Sequence, residues 1–177
     1  MIFPATIGAC MNFVPPNFTV PATLETDEFR LRMLTIHDVV KDYDAVMSSV
    51  DHLKAVWHET TWPEGLTLEQ NLIDLGWHQK EFQRKSSFAY TVVSLDEARV
   101  LGCVYIDPTK KVDHDATVCL WVRQSEVASG LDERLFTAVR EWIENDWPFE
   151  SAAFPGRSIP WERWNELPEI EDARAGS

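Results

Sequence analysis

Three strand-like runs in close succession constrain this chain most. "FAYTVVSL", "RVLGCVYIDP" and "ATVCLWV" span residues 88–122 and are dense in β-branched and aromatic residues. The turns between them hold Asp96, Glu97, Pro108, Asp113 and Asp115. Connections this short favour an antiparallel meander. Helical patterns flank it. Val39, Val40, Tyr43, Val46, Met47 and Val50 recur at helical spacing. So do Leu68, Leu72, Ile73, Leu75, Trp77 and Phe82, despite Gly76, and then Leu131, Leu135, Phe136, Val139, Trp142 and Ile143. Thr35 with Asp38, and Thr67 with Gln70, have capping-box spacing. "FRLRML" alternates as a strand with a polar face, and "PFESAAF" reads as one more short strand. "HLKAVWHETTWPEGLT", residues 52–67, reads as a loop. The order is strand, helix, helix, three strands, helix, strand. That predicts an α+β protein, a single mixed, mostly antiparallel sheet with helices on both faces.

The 177 residues suit one domain. Residues 1–28, with Pro4, Pro15, Pro16 and Pro21, form a Pro-rich extension, with "NFTV" as a short edge strand. Residues 156–177 read as an irregular tail that packs Trp161 and Trp164 over an open sheet edge. The net charge of −13 argues against binding nucleic acid or an anionic membrane, and suits a cationic partner or substrate or simply solubility. No run approaches the ~18 apolar residues of a membrane span, and "MIFPATIGAC" lacks the basic start of a signal peptide, so a cytoplasmic location is expected. Cys10, Cys103 and Cys119 are an odd set without C-x-x-C spacing, which fits a reducing compartment. Cys103 and Cys119 read as buried small hydrophobes. No Cys/His set has zinc-ligand spacing, so no metal is expected, and the Walker, Rossmann and nucleophile-elbow motifs are absent.

"LWVRQSEVASGLDERLFTAVREWI" is a strand, a loop and a helix, a junction at which unpaired amides and the helix dipole hold phosphate. Together with "FRLRMLTIHD" and the Gly102-containing "VLGCVYIDP", this order resembles the GNAT-type N-acetyltransferases over residues 29–155. The resemblance implies an acyl-CoA N-acyltransferase-like fold. It also implies transfer of acetyl from acetyl-CoA, as co-substrate, to an amine of a small molecule or protein. Leu120, Trp121 and Val122 would hold the pantetheine arm through their backbone, much as an added strand would. Val127, Ala128, Ser129, Gly130 and Leu131 would line the pyrophosphate. At the loop's signature positions only Gly130 matches; Val127 and Asp132 replace the usual residues. A carboxylate at Asp132 facing the pyrophosphate is expected to cost ~1–3 kcal/mol. Ser129 and Asp132 also have the spacing of a helix-capping pair, and Arg123 and Arg134 could restore positive charge. The family continues with a helix and two strands and often a tyrosine acid; here the expected tail is irregular and no tyrosine follows Tyr105. The alternative is a catalytically degenerate binding module, for which exposed tryptophans and an uncovered edge favour a homodimer.

Amine acetylation needs a base. Glu59 and His58, in the loop that shapes the family's acceptor site, and Asp107, at a strand end, are the candidates; a solvated surface role is the competing reading of each. Trp57 and Trp62, in the same loop, could pin it to the core or hold an apolar or cationic group.

Overall fold

The computed structural model describes residues 12–57 and 60–170. Six strands form one sheet in sequence order: β1 (Thr23–Glu25), β2 (Phe29–Met33), β3 (Phe88–Ser94), β4 (Val100–Pro108), β5 (Ala116–Val122) and β6 (Ala152–Ala153). Neighbours are antiparallel except β5 and β6, which run parallel. The helices are α1 (Val39–Met47), α2 (Val50–Val56), α3 (Leu68–Arg84), α4 (Gln124–Val127), α5 (Leu131–Asp146) and α6 (Trp161–Glu166). The expected α+β architecture is the observed one.

Alternation along β4 and β5 separates two cores. Val104, Ile106, Val118, Leu120 and Val122 meet Leu131, Leu135, Val139 and Trp142 of α5. Cys103 and Trp121 point to the other face, against Ala45 and Val46 of α1, Leu53 of α2 and Leu75 of α3. Each large side chain fully buried in this way contributes about 1.5–3 kcal/mol. Both capping boxes form, and the Thr35 amide donates to Asp38 Oδ2 at 3.0 Å. Arg32 holds the buried Asp38 carboxylate at 2.7 Å, and despite burial the pair and the Thr35 donors keep its pKa below the usual value.

Several local expectations are corrected. The valine series of residues 39–50 is not one helix: the chain breaks at Ser48–Ser49, where buried Ser49 donates to the Ala45 carbonyl at 2.7 Å. The helix that follows extends to Val56, so the expected loop begins later; Leu53, fully buried, anchors this turn to the sheet. The edge strand is Thr23–Glu25 rather than "NFTV", because Thr23–Glu25 are the residues in register with Arg30–Arg32. The tail holds α6, with Trp164 buried against His114. Leu68, Leu72, Ile73 and Trp77 mark α3 correctly, yet they lie on its exposed side; Asn71 and Leu75 are buried. Among the described residues, no helix is long and apolar enough to cross a membrane.

Gly102 sets how closely β4 and β5 approach. The β3–β4 register passes from Val92↔Gly102 to Val93↔Val100, leaving Leu101 as an extra residue. A methyl group on Gly102 would stand 2.1 Å from the Trp121 carbonyl oxygen, a backbone atom fixed in the ladder. Gly102→Ala is therefore expected to cost about 2–4 kcal/mol by forcing the strands apart. Denaturant unfolding measures this, and a loss near zero would mean that the ladder relaxes freely there.

Candidate active site

The site begins where β5 and β6 part. They pair at Ala116↔Ala152 and Thr117↔Ala153, after which the chain leaves β5 through Pro155 and Gly156. Gly156 has φ 74°, and a methyl group there would collide with the Trp161 indole at 2.4 Å. The gap is a cleft of about 250 Å³ between Cys119 and Leu120 on one side and Gly156 and Arg157 on the other. Asp132 of α5 lines it from one face of the sheet, and His52 and Val56 of α2 from the opposite face. The opening thus runs through the sheet.

The helix end beside this cleft carries no side-chain cap. Gly130, at φ 77°, is the residue before α5. Ser129 does not cap the helix as its spacing suggested; its hydroxyl donates to the Glu126 carbonyl at 2.7 Å. The free amides of the first turn of α5 are donors suited to an anionic group. Asp132 faces the cleft as a fork-to-fork partner of Arg157, whose Nη2 donates to Oδ1 at 2.7 Å. The same Nη2 lies 3.5 Å from the Leu120 carbonyl oxygen, and the guanidinium stacks over Phe136. Arg123 pairs with Asp44, and Arg134 pairs with Glu28 at 2.6 Å while donating to the Ser129 carbonyl. Both expected sources of extra positive charge are therefore matched by carboxylates. Leu120, Trp121, Val122 and Leu131 are buried, whereas Val127, Ala128 and Ser129 are exposed.

A larger cavity of about 500 Å³ opens on the face covered by α1 and α3. Trp57 and Trp161 line both spaces, so they form the partition between cleft and cavity. Trp161 Nε1 donates to the Val56 carbonyl at 3.2 Å, which pins α6 to α2. Trp62, Trp77 and Tyr105 supply more aromatic wall. The Tyr105 hydroxyl accepts from Trp121 Nε1 at 3.4 Å, and burial raises its pKa far enough that it stays protonated. Asp42 of α1 sits in the wall, 4% exposed, with Asn71 Nδ2 donating to Oδ2 at 2.9 Å. Burial raises its pKa to about 6 against the Asn71 hydrogen bond, and the negative charges of Asp38 and Asp74 add to the rise. Burial also lowers the His78 pKa to about 4, so that ring is neutral at pH 7.

Among the expected catalytic residues, His58 and Glu59 lie outside the described residues, as does Cys10. Their neighbours Trp57 and Thr60 line the larger cavity. Asp107 lies on β4 opposite Thr117, half-buried, with its pKa raised to about 6 by burial, and it lines neither space. Cys103 is buried as expected; Cys119 is not a core residue but lines the cleft. Sequence reasoning passed over Asp42 and Tyr105. Asp42 carried a signal: it stands three residues after Val39 and four before Val46, on the apolar stripe of its helix.

Neither a protein-family model nor a curated protein sequence matches the chain. Its likeness is to solved structures. It is similar to a ribosomal-protein-S5-alanine acetyltransferase from Vibrio fischeri, with 17% identity and TM-score 0.56 over 70% of this chain and 67% of that one. It is also similar to RimL, the ribosomal L7/L12 α-N-protein acetyltransferase, in complex with coenzyme A, with 15% identity and TM-score 0.56 over 72% and 69%. A third is the microcin C7 self-immunity acetyltransferase MccE in complex with acetyl-CoA and AMP, with 11% identity and TM-score 0.56 over 70% and 67%. The chain therefore has the GNAT-type acyl-CoA N-acyltransferase fold, as its element order implied.

Asp42 gives the site a measurable cost. Below about pH 4 the carboxyl is protonated in both folded and unfolded chains and contributes nothing. Between about pH 4 and 6 the unfolded chain loses this proton first, so stability falls as pH rises. Above about pH 6 the cost is complete, at about 3 kcal/mol. Asp42→Asn is expected to unfold later than the parent chain at pH 8 and at the same point at pH 4. Melts at both pH values check it; an equal shift at both would place the effect outside the titration.

Proposed function

We propose that this protein is an N-acetyltransferase that moves acetyl from acetyl-CoA to an amine of a small molecule or protein. The observation that carries this reading is the opening through the sheet between β5 and β6, with an uncapped helix start on one face and the larger cavity on the other. An extended pantetheine arm fits beside the unpaired backbone edge of Leu120, Trp121 and Val122. The pyrophosphate falls beside Val127, Ala128, Ser129, Gly130 and Leu131; the Ser129 and Gly130 amides bond within the turn, so the donors offered are those of the first turn of α5, where the dipole favours negative charge. The thioester then lies at the Trp57–Trp161 partition, facing an amine in the larger cavity.

The chemistry asks for two proton movements. The ammonium must lose a proton before its nitrogen attacks the thioester carbonyl. The C–N bond forms, the C–S bond breaks, and the departing thiolate takes up the second proton, which the nitrogen sheds as the amide forms. Asp42, with a pKa near 6, is matched to the first task. The Tyr105 hydroxyl on the same cavity wall, kept protonated by burial, is assigned the relay of the second. Glu59 and His58 are the further base candidates; Asp107, which lines neither space, would reach the amine only through water.

The opposite reading, a coenzyme-free binding module, is favoured by one observation: the Arg157 guanidinium stands at the Leu120 carbonyl, where pantetheine would pair. The exposed Leu72, Ile73 and Trp77 on α3 would then serve a partner or a second copy of this chain.

Calorimetric titration with acetyl-CoA, followed by release of coenzyme A thiol, separates the two. Binding is expected, and none at millimolar coenzyme would sink the enzyme reading. Charge at the cleft sets the order of variants. Arg157→Ala bares Asp132 and is expected to weaken binding roughly tenfold, whereas Asp132→Ala is expected to tighten it by a similar factor. If Arg157→Ala instead tightens binding, the arginine is a plug and not a screen.

A further inference from the structure

The larger cavity combines features that define a ligand more narrowly than an amine. Trp57, Trp62, Trp77, Trp161 and Tyr105 present aromatic rings to it, and Leu34, Val46 and Leu75 supply aliphatic wall. Asp42 and Asp74 also line it. Among the described residues no lysine or arginine does, and the one basic side chain is His78. The hydrogen-bonding side chain shown on Asp42 is the neutral amide of Asn71. Elsewhere in this chain three carboxylates do have cations at hand: Asp38 has Arg32, Glu97 has Arg30 and Arg32, and Asp132 has Arg157. A carboxylate taken out of water with no countercharge is costly, and such groups are kept charged by a partner. Among the described residues, the cavity wall thus holds its negative charge without a lysine or arginine to match it.

Aromatic faces carry negative potential and attract cations, most strongly where water is excluded. They equally accept an apolar body. A strongly hydrated small cation with no apolar part would leave most of the roughly 500 Å³ unfilled by matching surface. We propose that the acceptor bound here is a small organic monocation, a primary ammonium carried on an aromatic or aliphatic body, with the ammonium at Asp42 and the body among Trp57, Trp62 and Trp161. The assignment rests on the acetyltransferase reading for its role as acceptor, but the binding itself does not. Trp57 adds one further contact: among the described residues its buried Nε1 has no partner, which leaves a donor at the partition for an acceptor atom of ligand or thioester.

Binding of three small probes to the full chain without coenzyme tests this. Tryptamine has the ammonium and the body, tryptophol has a hydroxyl in place of the ammonium, and ethylamine has the ammonium alone. Tryptamine is expected to bind at least about tenfold tighter than either. Asp42→Asn should reduce the preference for tryptamine over tryptophol to about twofold or less, and its fold is checked by circular dichroism. Trp62→Leu, a second variant outside any helix or strand, should weaken tryptamine roughly fivefold. Equal binding of tryptamine and tryptophol overturns the proposal. So does an Asp42→Asn protein that keeps the full preference. Tighter binding of a dodecapeptide with a free N-terminal alanine than of tryptamine also overturns it, in favour of a protein acceptor. If tryptamine binds as expected but acetyl-CoA yields no coenzyme A thiol, the ligand class stands and the transfer reading falls. If thiol is released with another amine while tryptamine fails to bind, the transfer reading stands and the ligand class falls.

Discussion

β5 is paired along its whole length with β4 but along two residues with β6. The acetyl-CoA site proposed for this molecule depends on that asymmetry. A strand edge left open normally invites aggregation. Here it is shielded by the segment carrying Gly156 and Arg157, which stands off far enough to leave a cleft. The tight β4–β5 approach at Gly102 holds one side of the opening rigid, and the docking of Trp161 onto α2 holds the other.

The electrostatics follow from the same arrangement. The cleft is screened, because Asp132 is forked to Arg157 and the nearby Arg123 and Arg134 are each paired with a carboxylate. The larger cavity is not, because among the described residues its wall holds Asp42, bonded by the neutral Asn71 amide, and Asp74 with no lysine or arginine. One space is thus close to neutral beside a helix dipole, and the other is acidic and aromatic. An anionic nucleotide suits the first and an organic cation the second, with Trp57 and Trp161 between them. The cost of keeping Asp42 there is borne by stability, the usual direction when a site needs a buried charge.

Local signals gave good guidance wherever a single segment decides its own state. The three β-rich runs, both capping boxes and the apolar stripe of α5 are present where residue periodicity puts them. Errors fell where a distant contact outweighs local preference. The helix ends before Ser49, whose buried hydroxyl accepts from the Gln124 amide at 3.0 Å, and Leu53 recruits an expected loop into α2 by packing on the sheet. Ser129 is a local competition instead: its hydroxyl bonds the Glu126 carbonyl three residues back and does not cap α5.

The amino-acid sequence by itself determined the order of elements, the two-faced alternation of β4 and β5, and hence the sheet and its helix layers. Those are properties of spacing along one chain, and period two or period 3.6 is visible without neighbours. Only the tertiary structure decided the site. Asp132 reads in isolation as a charge opposed to phosphate, and becomes a paired group because Arg157, 25 residues on, folds back to it. Asp42 reads as one polar residue in a helix, and becomes a buried carboxylate because α3 brings Asn71 and Asp74 to it. Pairings across that separation depend on which surfaces meet, and spacing carries no record of that.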